Sequence, residues 1–379
     1  MLPAGIRIEV DQIRPAAQPH LLSTCRRMEN PMLPESFIAA IGRVAPKLVV
    51  FATVRNERVR IHAWLRHYRN IGVETFAVID NGSTDGTYDI LRAQPDVVAI
   101  RIETSYGASN FGVPWLNELH RRLNSSTWVL FADADELLVY RGWPSRQLIE
   151  LADEATSMNY NAFFGVMVDM YPDGPLEEAV VSQQDDLFDV APCFDRDYQF
   201  RIRPLTPWED PTIKLELIGG PRLRMLSSFE RELATTWVSR FIRGQIDRVL
   251  LLTPNLLLPW VVRSFPRTMP ALCKTPLVRS GAGVRYTSAH YTHGARLFPE
   301  TVVLCHFKFL ADFAARVRAE AARGEHYRRG AEYILYADAI SRKDRFEVAY
   351  EGSQRFRTVD QFVELGLIRD IASLLPRTM

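Results

Sequence analysis

Acidic residues follow a short apolar segment, and their type and spacing suit a metal ion. The segment "WVLF" (Trp128–Phe131) is typical of a strand buried on both faces, and Asp133, Asp135 and Glu136 come directly after it. Carboxylates at the mouth of a buried strand repel each other and lose solvation, so they stay ionised only when a cation or strong donors neutralise them. A hard divalent ion, Mn²⁺ or Mg²⁺, that also binds substrate phosphates meets this need. The alternative is an acidic turn that caps the next segment.

The Asp-x-Asp pattern has little specificity without that preceding strand. About one match is expected by chance in a chain of this length. A second copy, Asp195-Arg196-Asp197, has no apolar strand before it. The context of the first copy, rather than the pattern itself, therefore supports a metal site.

Two further polar loops also follow apolar segments. Asn56 and Glu57 come after "LVVFATV" (Leu48–Val54), and Asp80 and Asn81 begin the loop "DNGSTDGT" after "TFAVI". The carboxylate of Asp80 and the amide of Asn81 are able to hydrogen-bond a nucleobase or a ribose. The loop contains neither the GxGxxG nor the GxxxxGK[ST] pattern, so the dinucleotide and P-loop fingerprints are absent.

Strands and helices must alternate to position these loops. From Lys47 to about Tyr140 the pattern reads strand, helix, strand, helix, strand, helix, strand, which predicts an α/β fold with a mainly parallel sheet and helices on both faces. Ligands bind at the carboxyl ends of such strands, where all three polar loops lie. The predicted segments are an irregular N-terminal extension (1–46), a ligand-binding half (47–140), a less regular second half (141–310) and a C-terminal helical region (311–379).

The amino-acid composition limits the classes of protein to which the chain can belong. The chain has 379 residues with 46 basic and 45 acidic side chains, so no global charge favours nucleic acid. Four widely spaced cysteines are expected to be reduced thiols. We expect no signal peptide, no spanning helix and a cytoplasmic location. The apolar segment Val249–Val262, flanked by arginines, is either a core segment or a peripheral contact with the inner membrane face.

Basic residues in the second half are candidates for binding an anion. Lys308 follows His306 by two positions and would share its face in a strand, where it could meet a phosphate. Arg222 and Arg224 also alternate, and they could clamp a diphosphate or an acidic acceptor. A solvated basic turn is the alternative for the arginines, and a core histidine is the alternative for His306.

Two motifs together resemble a known family. "VRNERVRIHAWLRHYRNIGVETFAVIDNGSTDGT" and then "WVLFADADELLV" are similar to the nucleotide-binding half of family 2 glycosyltransferases. The nearest likeness is to the bacterial branch with Asn-Glu in the first loop and Asp-x-Asp-Glu as the acidic motif. The likeness covers roughly Lys47–Tyr140 well and the rest of the chain more loosely.

The resemblance implies a GT-A fold, a nucleoside-diphosphate sugar donor and a divalent metal. It places Asp80 on the nucleobase and Asn56 with Glu57 in the nucleoside pocket. It places Asp133 near the ribose and the metal, and it makes Asp135 a ligand of the metal that bridges the phosphates.

The chain departs from the family pattern in two ways. Asn81 stands where a second acid is usual, and the Glu-Asp pair that supplies the catalytic base is not evident. Inverting transfer needs a carboxylate to deprotonate the acceptor hydroxyl. We predict Asp169, which ends an apolar segment, or else Asp195 as this base. The resemblance also implies that His306 is a further metal ligand.

The predicted function is therefore metal-dependent, inverting transfer of a sugar, with UDP the expected nucleotide. The acceptor would be a glycan or a lipid-linked molecule in surface-polysaccharide biosynthesis. One alternative is a nucleotidyl- or phosphotransferase that uses the same metal-diphosphate arrangement. Another is a non-catalytic module that binds a sugar nucleotide or a glycan.

Overall fold

The computed structural model describes residues 32–107, 109–202, 215–225, 272–325, 327–341 and 346–374. Within these ranges, strand and helix alternate through the first half as predicted. In chain order the strands are β1 (Leu48–Val54), β2 (Thr75–Asp80), β3 (Val97–Arg101), β4 (Trp128–Phe131), β5 (Glu136–Val139), β6 (Ala162–Asp169), β7 (Cys193–Asp195), β8 (Tyr198–Ile202), β9 (Leu215–Gly219), β10 (Cys273–Arg279), β11 (Arg285–Tyr286), β12 (Thr292–His293), β13 (Val302–His306) and β14 (Ser353–Arg355).

The helices follow from apolar stripes at helical spacing. In the first long helix after β1, Ile61, Trp64, Leu65 and Tyr68 are all buried, as their i, i+3, i+4 and i+7 spacing predicts. In chain order the helices are α1 (Glu35–Val44), α2 (Ile61–Asn70), α3 (Thr87–Arg92), α4 (Val113–Arg122), α5 (Leu148–Ser157), α6 (Leu187–Val190), α7 (Phe313–Arg323), α8 (Tyr327–Ser341) and α9 (Asp360–Glu364). Residues 220–225 are also helical.

One large mixed sheet organises the described residues. Its strand order is β3-β2-β1-β4-β10-β6-β13-β5. Strands β1 to β4 are parallel, whereas β10 is antiparallel to β4 and β6, and β5 is antiparallel to β13. Strands β6 and β13 pair in parallel. The sheet is therefore mainly parallel, with β10 and β5 running against the other strands.

Helices cover both faces of this sheet. Alternate β1 residues such as Leu48 and Val50 join one apolar cluster, which includes Trp64 of α2 and residues of α5. The intervening residues, Val49 and Phe51, join a second cluster with residues of α1 and α4. Because β1 is buried on both faces, its sequence reads as a continuous apolar run.

The predicted α/β class, with a mainly parallel sheet and helices on both faces, is confirmed. The prediction of an irregular extension up to residue 46 is wrong for Glu35–Val44, which forms α1 and buries Phe37, Ile38 and Ile41. The helix has six apolar residues, but Ala39 and Val44 are exposed, so its apolar residues do not all lie on one face and the helical periodicity is weak. Residues 1–31 and Val249–Val262 lie outside the described residues. The segment boundaries at 46, 140 and 310 stay predictions.

Among the residues that the structure describes, no helix combines the length and the apolar character needed to cross a bilayer. The three cysteines in the described ranges, Cys193, Cys273 and Cys305, are buried free thiols.

Candidate functional site

The loops after β1 and β2 are joined at the carboxyl edge of the sheet. The backbone amide of Asn56 donates to Ser83 Oγ at 2.9 Å, and the amide of Glu57 donates to Thr87 Oγ1 at 2.9 Å. In return, the amide of Thr84 donates to Asn56 Oδ1 at 2.8 Å. The side chain of Asn56, a predicted nucleotide contact, therefore also fixes the "DNGSTDGT" loop.

Left-handed backbone allows this close approach. Asn56 has φ 54°, and Gly82 and Gly86 have φ 77° and 92°. Asparagine tolerates this region better than most residues, and glycine adopts it without steric cost. The composition of the two loops is thus explained in part by their backbone conformation.

Asp80 ends β2, and only one of its two carboxylate oxygens has hydrogen-bond partners in the described part of the chain. Its Oδ1 accepts from Arg101 Nε and from the Ser83 amide, each at 3.0 Å. Its Oδ2 is buried and has no hydrogen-bond partner among the described residues. A buried acceptor without a donor is costly, so a ligand N–H or O–H that reached this oxygen would be stabilised.

Asn81 is occupied by the protein itself. Its Nδ2 donates to the carbonyl oxygens of Ile102 and Thr104, both at 2.8 Å. Its Oδ1 accepts from Arg323 Nη2 at 3.2 Å. The amide replaces the second acid of the family pattern with a group that ties the loop to the segment after β3.

Asp133 is the accessible acid of the cluster after β4. Its side chain is 41% exposed, and Lys274 Nζ lies 3.4 Å from its Oδ2. Lys274 also donates to Glu136 Oε2 at 2.7 Å, and the Asp133 amide donates to the same oxygen at 3.0 Å. Burial raises the pKa of Glu136 to about 7, against the opposing effect of Lys274. Glu136 thus holds the turn and the lysine, while the Asp133 carboxylate faces outward.

Asp135 begins a buried chain of charges. His306 Nε2 lies 3.5 Å from Asp135 Oδ2, and His306 Nδ1 lies 2.6 Å from Asp169 Oδ1. Arg222 Nε donates to Asp169 Oδ2 at 2.7 Å. Burial disfavours the imidazolium, but the two flanking carboxylates outweigh it and raise the pKa of His306 to about 9. Burial likewise opposes ionisation of Asp169, yet Arg222 and His306 lower its pKa to about 2.

Sequence reasoning missed a second set of charges that closes the site. Arg316 of α7 donates to Glu57 at 2.9 Å and lies 3.6 Å from Asp135 Oδ2. Arg60, which is fully buried, forms two 2.7 Å hydrogen bonds to Asp312 and a 2.9 Å bond to the Phe307 carbonyl. Arg60 lies within the first quoted segment, but its partner Asp312 is 252 positions away, and Arg316 is 259 positions from Glu57, so no local signal in the sequence reveals these pairs.

Other predicted basic residues are placed differently from expectation. Strand β13 ends at His306, so Lys308 does not share its face by strand alternation. Lys308 instead pairs with Glu332 at 3.2 Å and lies over the Tyr333 and Tyr336 rings. Burial opposes ionisation of Glu332, but Lys308 and Arg222 lower its pKa to about 2.

The two arginines of "GGPRLR" lie in a helical segment rather than a strand, so the predicted alternation is wrong. The glycines before them end β9 and turn the chain, with positive φ at both positions. Arg222 reaches Asp169, and Arg224 reaches Asp195 at 3.0 Å and stacks over Tyr350. Tyr171 also donates to Asp195 at 2.6 Å.

The acids after β4 suit a metal that is completed by substrate. No cluster of three or more His, Cys, Asp or Glu in the described ranges forms a ready-made metal cage. Mg²⁺ and similar ions are usually held by one or two carboxylates together with phosphate oxygens, so Asp133 and Asp135 fit. His306 has the partner typical of a metal-ligating histidine, since Asp169 orients its Nδ1 while Nε2 faces Asp135. To ligate a metal, Nε2 would have to release its proton.

Comparison with known proteins adds a distant relative. No protein-family model matches the chain. A glycosyltransferase family 92 protein of rice, Oryza sativa subsp. japonica, is 26% identical over 108 residues. The match covers 26% of this chain and only 17% of the rice protein. The chain is therefore weakly similar to a glycosyltransferase. The match is to family 92, so the likeness to family 2 stays a prediction.

Two solved structures align with about a third of the chain. TarS of S. aureus has a TM-score of 0.26 and 19% identity, over 35% of this chain and 24% of that one. Glucosyl-3-phosphoglycerate synthase of Mycobacterium tuberculosis, solved with Mn²⁺ and UDP-glucose, has a TM-score of 0.23 and 16% identity, over 37% of this chain and 50% of that one. Scores this low carry no argument about fold or function.

Proposed function

We propose that this chain is a metal-dependent, inverting glycosyltransferase of the GT-A type that uses a nucleoside-diphosphate sugar, with UDP as the nucleotide. One observation carries the proposal: Asp80 keeps a buried oxygen, without a partner in the described part of the chain, at the sheet edge where Asp133 presents a partly exposed carboxylate. A ligand with N–H donors at one end and phosphates at the other suits this pair. The distant similarity to a glycosyltransferase supports the same function.

The residues divide between the two ends of the donor. Asp80 would accept from the nucleobase, and Glu57 with Asn56 would shape the nucleoside pocket. At the other end Asp133 and Asp135 would hold Mn²⁺ or Mg²⁺, with His306 as a further ligand. When bound, the ion would neutralise the charge that develops on the leaving diphosphate. We further propose a cytoplasmic setting and a glycan or lipid-linked acceptor in surface-polysaccharide biosynthesis.

The geometry makes Asp169 better suited to orienting His306 than to accepting a proton. Both of its oxygens have partners, His306 and Arg222, and its pKa of about 2 makes it a weak base. Burial raises the pKa of Asp195, which favours proton uptake, but its oxygens are engaged by Tyr171 and Arg224. The assignment of the base to Asp169 or Asp195 stays a prediction. We propose Asp169 as a positioning residue.

The rival functions give different products. Sugar transfer liberates the nucleoside diphosphate, whereas nucleotidyl transfer forms or consumes pyrophosphate. A non-catalytic module would bind the donor without turnover. The engaged oxygens of Asp169 and Asp195 are the observation that favours this last alternative.

Thermal unfolding with UDP and Mn²⁺ tests the proposal. A ligand at 100 times its Kd stabilises the folded state by about 2.7 kcal/mol. We expect UDP to raise the Tm, and Mn²⁺ to increase that rise in the wild type but not in Asp135→Ala. Exposed Asp153 of α5 provides the control, since Asp153→Ala should behave as the wild type. If UDP has no effect on the wild type, the nucleotide site is wrong. An unchanged Mn²⁺ effect in Asp135→Ala would remove the metal role.

A further inference from the structure

Helix α7 crosses the edge of the sheet where the three polar loops meet. Arg316 contacts Glu57 of the first loop and Asp135 of the acidic cluster. Seven residues later, Arg323 donates to Asn81 of the second loop at 3.2 Å. Seven residues make almost two full turns of helix, so the two arginines lie on one face of α7. They are about 10 Å apart along the helix axis and therefore reach different parts of the site.

The two contacts of Arg316 are unequal. It makes two hydrogen bonds to Glu57, at 2.9 and 3.3 Å, in the forked geometry of a strong arginine–carboxylate pair. Its distance to Asp135 is 3.6 Å, too long for a hydrogen bond. Glu57 therefore tethers the guanidinium, while the contact with Asp135 is easily exchanged.

The tether is itself firmly held. Glu57 is buried, its amide is bonded to Thr87, and Arg60 lies 3.6 Å from its Oε2. Arg60 also binds Asp312, the residue that precedes α7. The side chain of Arg316 is nevertheless 25% exposed, so it has access to a ligand at the sheet edge.

A divalent ion bound by Asp135 would compete with Arg316 for the same carboxylate. Both are cations, and Asp135 Oδ2 already faces His306 as well as Arg316. An ion placed on Asp135 would repel the guanidinium at short range. The diphosphate that accompanies the ion is the anion best suited to receive it, because a guanidinium matches phosphate oxygens in geometry and charge.

We propose that Arg316 exchanges partners when the donor binds: it leaves Asp135 to the metal ion and binds the donor's diphosphate, while Glu57 keeps it in place. This inference rests on the proposed function. It makes α7 a clamp, since Arg316 meets the phosphates while Arg323 holds the loop after β2. It assigns the diphosphate contact to the C-terminal helical region rather than to Lys308, which is paired with Glu332.

The test measures metal and nucleotide affinity separately, by calorimetry, in the wild type and in Arg316→Ala. Without nucleotide, Arg316→Ala should bind Mn²⁺ about three- to tenfold more tightly, because a competing cation is removed. With Mn²⁺ present, it should bind UDP about 10- to 100-fold more weakly, as expected for the loss of a charge-assisted hydrogen bond. Its affinity for uridine, which has no phosphates, should be unchanged.

Exposed Arg318 on the same helix provides the matched control, and Arg318→Ala should leave all three affinities as in the wild type. Arg316→Lys keeps the charge but loses the fork, so it should fall between the wild type and Arg316→Ala. Weaker binding of Mn²⁺, UDP and uridine together would indicate a structural role and overturn the proposal. If the wild type binds UDP and Arg316→Ala has the same affinities as the wild type, the partner exchange is overturned but the proposed function is not. If the wild type binds neither Mn²⁺ nor UDP, the proposed function is overturned as well.

Discussion

Asp169 illustrates how a residue can be located by its sequence context and still have an unexpected environment. Its position at the end of an apolar segment predicts a place at the carboxyl edge of the sheet, and β6 does end there, paired with His306 of β13. The sequence cannot reveal that Arg222 and His306 occupy both of its oxygens. Those contacts distinguish a positioning residue from a base.

Replacing Asp169 with Asn separates the two roles. Asn retains an acceptor for His306 but loses the charge, so a positioning role predicts a 10- to 100-fold loss of Mn²⁺ affinity together with a loss of turnover. Uridine binding should not change. Titration with Mn²⁺ in the absence of donor is the measurement. Lower turnover with unaltered Mn²⁺ affinity would instead favour the base, and full turnover would place the base elsewhere.

At the scale of elements, β10 depends on a glycine in its neighbour. Gly165 of β6 pairs with Lys274, where the register between β6 and β10 shifts. A Cβ at Gly165 would lie 2.9 Å from Pro276 Cγ and 3.0 Å from Pro276 Cδ, closer than packed carbons tolerate.

We therefore expect Gly165→Ala to lower the free energy of unfolding by about 1–3 kcal/mol, through overpacking between two central strands. Urea unfolding monitored by tryptophan fluorescence measures the change. Gly174→Ala is the control, because a Cβ added there would meet no atom of the described residues within 4 Å. If Gly165→Ala and Gly174→Ala have the same free energy of unfolding, β6 and β10 accommodate the added methyl group without cost and the prediction is wrong.

The elements that the sequence predicts depend on local patterns, whereas the others depend on contacts between residues far apart in the chain. Strands β1, β2 and β4 follow from apolar runs, and Asp80 and Asp133 follow from their positions directly after such runs. Strand β10 has the sequence "CKTPLVR", and its lysine and proline are residue types that do not predict a central strand. Its lysine is buried beside two carboxylates that neutralise it, those of Asp133 and Glu136, more than 130 positions earlier in the chain. Pairings of this kind arise from the tertiary fold and leave no local pattern.

At the scale of the whole molecule, the ion pair of buried Arg60 with partly exposed Asp312 helps to link the first α/β unit to the C-terminal helices. Arg60 begins the turn into α2, Asp312 precedes α7, and the two are 252 positions apart. Arg60 also supports Glu57. Removing one partner of a fully buried pair costs about 3–5 kcal/mol, and the cost here is smaller because water reaches the Asp312 side chain, which is 22% exposed.

Arg60→Ala should consequently loosen α7 and α8 before the sheet unfolds. Limited proteolysis should cut between residues 312 and 341 faster than in the wild type, and UDP should protect less well. Arg58→Ala tests specificity, because Arg58 is exposed on the same loop and its side chain donates to the Asp85 carbonyl rather than to Asp312. If the rate of cleavage in Arg60→Ala is the same as in the wild type, the ion pair is not needed to hold α7 and α8 in place.

The pairing of Arg60 with Asp312 also has a consequence for the order in which the chain is made. A ribosome adds about 5–20 residues per second, so Asp312 follows Arg60 by at least ten seconds or so. For the later part of that interval, once residue 140 has been added, the nascent chain has the loops after β1, β2 and β4 but not the helix that contacts them. Until then Arg60 lacks Asp312, the partner of two of its hydrogen bonds, and a nascent chain that stops before residue 312 would lack both Arg316 and Arg323.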